Sequence, residues 1–539
     1  MDKAPVLIVG GGPVGLTASL LLSRAGVRSL LVERHPGTAI HPKARGINAR
    51  TMEVFHQQSI AAAIRKAGLP PAHTGFIVWA KTLAGEELER RVPWSRRAQS
   101  AEVSPVPACL CAQDDLEPVL RHFAAEEALA ELRFNTEMTH FAADDTGVVA
   151  TLRDSESGAT AEIRARYMIA ADGAQSRVRR ALGIGMLGQE NVYDSVNILI
   201  NADLRPWTAH RPAALYFIEN PELRATFLTI NAADRWGFLV NPLAAQGFKA
   251  ADFTPDRAAA LVRLAVGVPD LAVNVLGIAP WTASAHVAER YVHGPVFLAG
   301  DAAHEMPPTG GFGLNTGVQD VHNLCWKLGL VLRGVAAPAL LETYHDERQP
   351  VGRAITEQSL TNAISMGRMQ QRLENTSARP EYLNEQGMIF GATYASRAVI
   401  ADGTAPTAVA NPVTDYAPSA RPGGRAPHVW LEAKGGERCS TIDLVGNGFL
   451  LMTAPRGQAW SEAAERAAAA TALPIPVVTI GDGRFPDPQY RWRRAYEVDD
   501  GGAVLVRPDG YVGWRHRSAA GDPPRVFLDA IAAILGRTQ

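Results

Sequence analysis

Cysteine is scarce in this chain: four residues among 539, at Cys109, Cys111, Cys325 and Cys439. Their spacing makes no paired zinc-ligand pattern, no C-x-x-C redox pair and no disulfide framework. Buried or half-buried thiols in a reducing cytoplasm are the expectation. An excess of one charge is also missing, since 53 Lys and Arg stand against 55 Asp and Glu for a formal net charge of −2. Such a balance predicts no general attraction to nucleic acid or to an anionic membrane surface. There is no internal repeat and no long low-complexity tract, and the alanine-rich "SEAAERAAAATA" from Ser461 reads as an ordinary helix. No credible Ser/His/Asp arrangement and no metal-ligand cluster stands out, so neither triad nor metal chemistry is expected.

An unbroken membrane-length apolar run is absent too. The stretch "VLIVGGGPVGLTASLLLSRAGVRSLLVERHP" from Val6 is nearly uncharged in its first half, but Gly10, Gly11, Gly12 and Pro13 interrupt it early. A spanning helix needs ~20 mostly apolar residues. Gly and Pro are poor in a helix interior, so the stretch reads as strand, turn and helix. No small-residue cleavage site with a polar follow-on marks it as a signal peptide.

What the stretch holds is spacing. Gly10, Gly12 and Gly15 fit G-x-G-x-x-G after the apolar run "VLIV", with Pro13 among them, Val14 to Ala25 can form the following helix, and a second apolar run ends in Glu33 and Arg34. The acid stands about 20 residues past the glycines, as in a dinucleotide fingerprint. Gly10 permits the tight turn, Gly12 lets backbone approach a pyrophosphate, and Gly15 lets the helix pack close to the strand. The helix N-terminus offers free N–H groups and partial positive charge to phosphates. Glu33 can accept hydrogen bonds from a ribose diol. The start of the chain is expected to bind an ADP-containing cofactor.

A composition of 47% hydrophobic and 20% charged residues suits a globular protein, and the length predicts two or three domains. Two later stretches resemble the first in kind. "ARYMIAADGAQSRVRRALGI" from Ala165 is a strand ending in Asp172-Gly173, and "GPVFLAGDAAHEMPPTGGFGLNTGVQDVHNLCWKLGLVL" from Gly294 is a strand ending in Gly300-Asp301, then a Pro/Gly loop and a helix. Each acid sits at the carboxyl end of a strand, where open α/β sheets bind ligands. Each taken alone also reads as a turn residue or helix cap.

Together the three stretches resemble the FAD-dependent aromatic hydroxylases, single-component flavoprotein monooxygenases of the para-hydroxybenzoate and phenol hydroxylase type. The resemblance implies an α/β fold: a Rossmann-like FAD-binding domain (1–74, 106–184 and 281–400), an inserted antiparallel-sheet substrate domain (75–105 and 185–280), and a C-terminal thioredoxin-like domain (417–539). It places Asp301 on the FAD ribityl chain, in a loop that includes Gly300, Gly311 and Gly313. It puts the N–H groups of Leu314 and Asn315 near the flavin pyrimidine, and Asp172 and Gly173 near FAD and NAD(P)H. Gln113 matches a family glutamine near the cofactor, while Arg121 reads as a surface residue. Pro307 and Pro308 match the loop where the family holds oxygen; simple loop rigidity is the plain alternative. His304 reads as a structural loop residue.

The chain departs from the family in "HPKARGINARTMEVF", where Lys43 stands for the usual Arg near the flavin. Lysine keeps the charge but loses the planar fork, and Arg45 is the candidate to replace it. Arg50 and Glu53 on the next helix read as structural. The alternating apolar runs of the central region read as antiparallel strands. Tyr216, Phe227, Trp236 and Phe238, with Phe217 and Trp281, are candidate pocket walls, each also readable as a strand-core aromatic. Arg211, Arg224 and Arg235 are candidate partners for an anionic substrate. The C-terminal domain contains only Cys439, which excludes dithiol chemistry; packing or assembly into a homodimer is its expected role. All cofactor motifs precede residue 417, so flavin chemistry is not expected to require it.

By the same resemblance, NAD(P)H, with NADPH favoured, reduces FAD, and O2 adds as a C4a-hydroperoxide that an electron-rich ring attacks. The expected substrate is a small aromatic molecule, a phenol of polycyclic natural-product type. Inactivation of a rifamycin- or tetracycline-type antibiotic is an alternative on the same motifs. A non-catalytic binding protein on the same superfold is another, opposed by the intact glycine triplet, Glu33 and Asp301. A halogenase lacks support because no W-x-W-x-I-P segment is present.

Overall fold

The apolar run before the first glycines becomes the central strand of a parallel sheet. In this computed structural model the described residues are 2–93, 100–366 and 384–537. Small parts of all three expected domains (94–99, 367–383 and the last two residues) therefore lie outside the description. The parallel strands run in the order Ala130–Arg133, Ser29–Val32, Asp2–Val9, Thr160–Ala170 and Val296–Leu298. An antiparallel pair, Thr136–Asp144 with Gly147–Asp154, extends the sheet beside Thr160–Ala170. This order brings Val9, Val32, Ala170 and Leu298 to one edge, so Gly10, Glu33, Asp172 and Asp301 follow strand ends that lie together. That edge is where doubly wound sheets take their ligands.

Close packing of helices holds the edge in shape. A Cβ on Gly15 of helix Pro13–Arg24 would lie 2.0 Å from the Gly10 carbonyl oxygen. One on Gly317 of helix Gly313–Leu332 would lie 2.9 Å from Gly300 Cα. Only glycine permits either approach.

The second sheet has eight strands, in the order His304–Glu305, Asn274–Ala288, Met186–Asn201, Arg235–Val240, Arg224–Thr229, Leu215–Glu219, Ile77–Ala80 and Glu87–Arg91. Its pairs are antiparallel except Leu215–Glu219 with Ile77–Ala80, which is parallel. The strand Asn274–Ala288 stays paired with Met186–Asn201 as far as Ala288, so the sheet continues past the expected boundary at 280. Helix Pro255–Val266 covers one face, and there Tyr216, Phe227, Trp236 and Phe238 are buried with Ile198, Leu261 and Val262.

The C-terminal region carries a four-stranded sheet in the order Val477–Thr479, Leu450–Thr453, Ala503–Val506, Val512–His516. The first two strands are parallel and the other pairs antiparallel. With helices Gln458–Thr471, Arg491–Tyr496 and Pro523–Ile534 the sequence is β-α-β-α-β-β-α, the thioredoxin-like arrangement. Arg507 to Tyr511, with Asp509 and Gly510 between, turn the hairpin. Trp326, Leu330 and Leu340 of the first domain share a core with Trp460, Phe527 and Ile531 of this one.

A buried polar seam continues that core. Arg507 donates both amino groups to Glu347, at 2.7 and 2.8 Å, and Lys327 Nζ donates to the same carboxylate at 2.8 Å. Arg425 grips Glu53, which also accepts from Arg50 at 2.8 Å and from Ser104 at 2.6 Å. Burial works to raise the Glu53 and Glu347 carboxyls. Arg425 and Arg50 at the first, and Arg507 and Lys327 at the second, outweigh it and hold both below the usual carboxylate range. Arg50 and Glu53 are thus parts of an interdomain joint.

Candidate active site

The strand ends of the first sheet and the uncovered face of the second enclose one cavity of about 1900 Å³. Pockets for drug-sized ligands run to ~300–1,000 Å³, so this one has room for a dinucleotide and a second ring-bearing molecule. The glycines shape one end. Gly10, at φ +110°, sits where a Cβ would lie 2.2 Å from the Ala171 carbonyl oxygen. At Gly12 a Cβ would meet nothing nearer than Glu117 Oε1 at 3.9 Å, so its open side faces the cavity. The first helical bond of Pro13–Arg24 runs from Leu16 N–H to Gly12 O, leaving the earlier N–H groups without a helical acceptor. Glu33 Oε2 accepts from Gly11 N–H at 2.7 Å and its Oε1 from His35 N–H at 2.9 Å. Arg34 lies exposed on the cavity rim.

Asp172 does two things at once. Its Oδ2 accepts from the N–H groups of Arg177 (2.8 Å) and Val178 (3.2 Å), capping a short helix. Its Oδ1 is buried without a partner, and with Gly173 it lines the cavity. Asp301 also lines it, its side chain open to the cavity, and the desolvating walls around it raise its pKa. Gly300 is not among the lining residues. At φ +62° it brings the loop against Val14, where a Cβ would come within 2.9 Å of Cγ2, so its place is in helix packing rather than at the ligand.

Pro307, Pro308, Gly311, Gly313, Leu314 and Asn315 all line the wall between the two sheets. Thr316 N–H makes the first bond of helix Gly313–Leu332, to Phe312 O, so the N–H groups of Gly313, Leu314 and Asn315 have no acceptor within the helix. The Asn315 side chain is spent elsewhere. It accepts from Asn48 N–H at 2.9 Å and donates to the carbonyls of Gly46 (2.8 Å) and Gly311 (2.7 Å), tying two loops together. Lys43 and Arg45 both line the cavity, and Arg45 also donates to the carbonyls of Ala214 (2.7 Å) and Thr229 (2.9 Å), anchoring the loop to the second sheet. Gln113 donates to Glu117 Oε1 at 2.7 Å, and burial raises the Glu117 pKa. His304 pairs with buried Asp320 at 2.8 Å and takes a structural place.

The aromatic wall expected on the second sheet is on the wrong side. Tyr216, Phe227, Trp236 and Phe238 face helix Pro255–Val266, and none lines the cavity. Strand side chains alternate between faces, so their neighbours Leu215, Leu228 and Leu239 face the cavity with Asn197 and Ala214. Trp281 does line it; Phe217 does not and instead stacks on Trp79, 5.1 Å between centroids. Arg211 is bound to Leu83 O and Trp207 O, Arg235 to Asp114 and Asp115, and Arg224 reaches Met366 O. None of the three lines the cavity.

Glu385 is the site residue that sequence reasoning missed. It lines the cavity with Ile389 and Phe390 and is remote in sequence from every recognised motif, so no local signal marks it. Among the described residues no metal-binding group of three or more His, Cys, Asp or Glu occurs, and no helix is long and apolar enough to cross a membrane.

Comparison with known proteins gives a consistent result over the whole chain. Residues 3–359 match a family described as FAD binding domain, and residues 419–538 match one described as aromatic-ring hydroxylase, C-terminal. The chain is 40% identical over 559 residues to a tetracenomycin B2 monooxygenase-dioxygenase of Streptomyces olivaceus, covering 100% of both chains. It is 40% identical over 548 residues to a 4-methyl-5-nitrocatechol 5-monooxygenase of a Burkholderia species, covering 99% of this chain and 98% of the relative. A crystal structure of aklavinone-11 hydroxylase with FAD and aklavinone superposes with a TM-score of 0.89 at 35% identity, covering 100% of both chains.

Proposed function

The chain belongs to the FAD-dependent aromatic-ring hydroxylases, and from that premise we propose that it uses NAD(P)H and O2 to place one hydroxyl group on a flat, polycyclic phenol. The observation that carries the substrate class is the cavity itself. Its size and the apolar face of Leu215, Leu228, Leu239, Pro280 and Trp281 suit a broad ring system. The three arginines considered as carboxylate partners are engaged elsewhere, which weighs against a small anionic acid.

The cradle fits FAD. Gly12 presents open backbone, two helix N-termini offer free N–H groups, and Asp172 Oδ1 is a buried acceptor in need of a donor. Bound FAD supplies hydride acceptance from a nicotinamide and activation of O2 toward an electron-rich ring. In this reading Gly12 and the start of helix Pro13–Arg24 hold the pyrophosphate, and Glu33 and Arg34 hold the adenosine end. Asp301 accepts from ribityl hydroxyls. The Leu314 and Asn315 N–H groups, free of helical acceptors, would hold the flavin ring and supply fixed dipoles that favour negative charge on it. Lys43 adds a cation near the same ring. Pro307 and Pro308 stiffen the loop between cofactor and substrate, and the leucine face keeps water from the reacting atoms.

The test is turnover of purified holoprotein with a panel of monocyclic and polycyclic phenols, using NADH and NADPH separately under labelled O2. The expected outcome is phenol-stimulated NAD(P)H oxidation with one labelled oxygen in a polycyclic product. Label found only in hydrogen peroxide across the panel rejects the hydroxylase reading of this chain. Product from monocyclic phenols alone rejects the substrate class.

A further inference from the structure

One cavity carboxyl lies outside every recognised cofactor motif. Glu385 lines the cavity beside Pro308, Gly310, Gly311 and Phe390. A Cβ on Gly310, at φ +112°, would lie 3.1 Å from Glu385 Oε1, so the glycine lets the Pro/Gly loop run close to the carboxyl. Asn362, on helix Thr343–Ser365, donates its Nδ2–H to the same Oε1 at 2.9 Å and lies 3.4 Å from Thr309 O. One amide thus holds both the carboxyl and the loop.

Among the described residues no cation forms an ion pair with Glu385. Of the described elements around it, the loop carries Asp301 and Glu305, helix Thr343–Ser365 presents Asn362, and its own helix Gln386–Phe390 has no ionisable residue but packs against Asp415 and against Arg425, which lies over Phe390 and is spent on Glu53. Burial pushes its pKa up to about 8 against the opposing bond from Asn362. An enclosed carboxylate without a cation is costly, and the interdomain seam shows how this protein pairs buried carboxylates when their role is structural.

A phenol becomes a strong carbon nucleophile when its hydroxyl proton leaves. Resting on the hydroxylase reading above, we propose that Glu385 accepts the hydroxyl proton of the bound phenol. The phenol O–H bond breaks, its electron pair stays on the phenol oxygen, and the proton joins a Glu385 carboxylate oxygen; nothing is oxidised or reduced. A general base works best with a pKa near the working pH. Asn362 is a positioning residue, keeping the carboxyl turned to the loop.

The experiment reads ionisation rather than turnover. Oxidised holoenzyme without reductant is titrated with 4-nitrophenol and with alizarin, whose ionised forms absorb at longer wavelength than the neutral forms. At pH 8.5, where a Glu385 carboxyl with its pKa near 8 is mostly ionised and free to take a proton, the wild type is expected to bind at least one probe as the phenolate. Glu385→Gln should lower the ionised fraction by about tenfold, one pKa unit of lost coupling, with FAD occupancy unchanged. Glu385→Asp, which keeps a carboxyl, should restore part of it. A wild-type ionised fraction in Glu385→Gln, or bound probes that are neutral in the wild type, overturns the proposal. A wild type that ionises the probes through Glu385 yet inserts oxygen into no phenol leaves this proposal standing and removes the hydroxylase reading alone.

Discussion

The interdomain seam holds fully buried carboxyl groups with paired cations, whereas three carboxyls of the cavity wall, buried Glu117, half-buried Glu385 and exposed Asp301, lack one, and the two sets shift in opposite directions. In the seam Glu53 meets Arg425 and Arg50 and Glu347 meets Arg507 and Lys327, and within the first domain buried Asp320 likewise meets His304 and Arg348. Burial would raise all three; the cations prevail and keep them ionised. In the cavity Glu117, Asp301 and Glu385 have no ion-pair partner among the described residues, and burial prevails, raising each. Desolvation alone therefore does not set the direction of the shift here. The presence or absence of a cation does.

Breaking the seam should have the largest effect. Arg507→Ala strips Glu347 of its two-pronged partner and leaves buried negative charge, a loss of ~3–5 kcal/mol. Denaturant unfolding of the holoprotein measures it, and a loss below ~1 kcal/mol, within the range of a surface ion pair, would erase the contrast with the cavity. Deletion of the chain from residue 417 removes Arg425, Arg507 and the apolar cover of Trp326 and Leu330 together. It is expected to yield insoluble protein even though every cofactor motif remains.

Substitution on the cavity side should spare the fold and strike the ligand. Gly12→Val fills backbone space that faces the cavity and is expected to weaken FAD binding by about 100-fold, ~3 kcal/mol. Flavin fluorescence on dilution reports the loss, while unfolding of the apoprotein should match wild type. Gly15→Ala, with 2.0 Å to the Gly10 carbonyl oxygen, should instead destabilise the apoprotein itself.

Acid and alkali should sort the two groups of carboxyls. Seam carboxylates have folded pKa values below their unfolded ones, so their stabilisation is present above the ordinary carboxylate range and disappears as pH falls through the folded values. Cavity carboxyls have raised values, so the folded state holds their protons longer and stability declines as pH rises from the ordinary carboxylate range toward about 8 for Glu385. Glu385→Gln should flatten that alkaline decline and leave the acid limb in place. Thermal unfolding across pH distinguishes these outcomes.

The smallest effect is expected on the sheet face. Leu239→Ala removes cavity lining rather than packed core, costing about 1 kcal/mol or less, below the ~2–5 kcal/mol of a core Leu→Ala. It should change KM among ring systems of different width. Phe238→Ala, one residue away on the covered face, should cost ~3–5 kcal/mol. Equal costs would show that the two faces are not distinct.

The sequence by itself determined the nucleotide edge. Gly10, Gly12 and Gly15 carry their geometry locally, in one turn and the helix after it, and Asp172 and Asp301 follow apolar strands closely enough to be placed at strand ends. Contiguous residues decide such features because backbone conformation and strand length are short-range properties. Only the tertiary structure decided the rest. Period-two alternation separates Phe238 from Leu239 but does not say which of the two faces helix Pro255–Val266 covers. Arg45 matched a cofactor role by position, and its carbonyl partners at Ala214 and Thr229 lie on strands far along the chain. Glu53 meets Arg425 across 372 residues, and Glu385 joins the cavity only after two sheets and a helix close around it. In each case the deciding quantity is which distant group arrives to exclude water or supply a countercharge, and that arrival depends on packing between elements that carry no local record of one another.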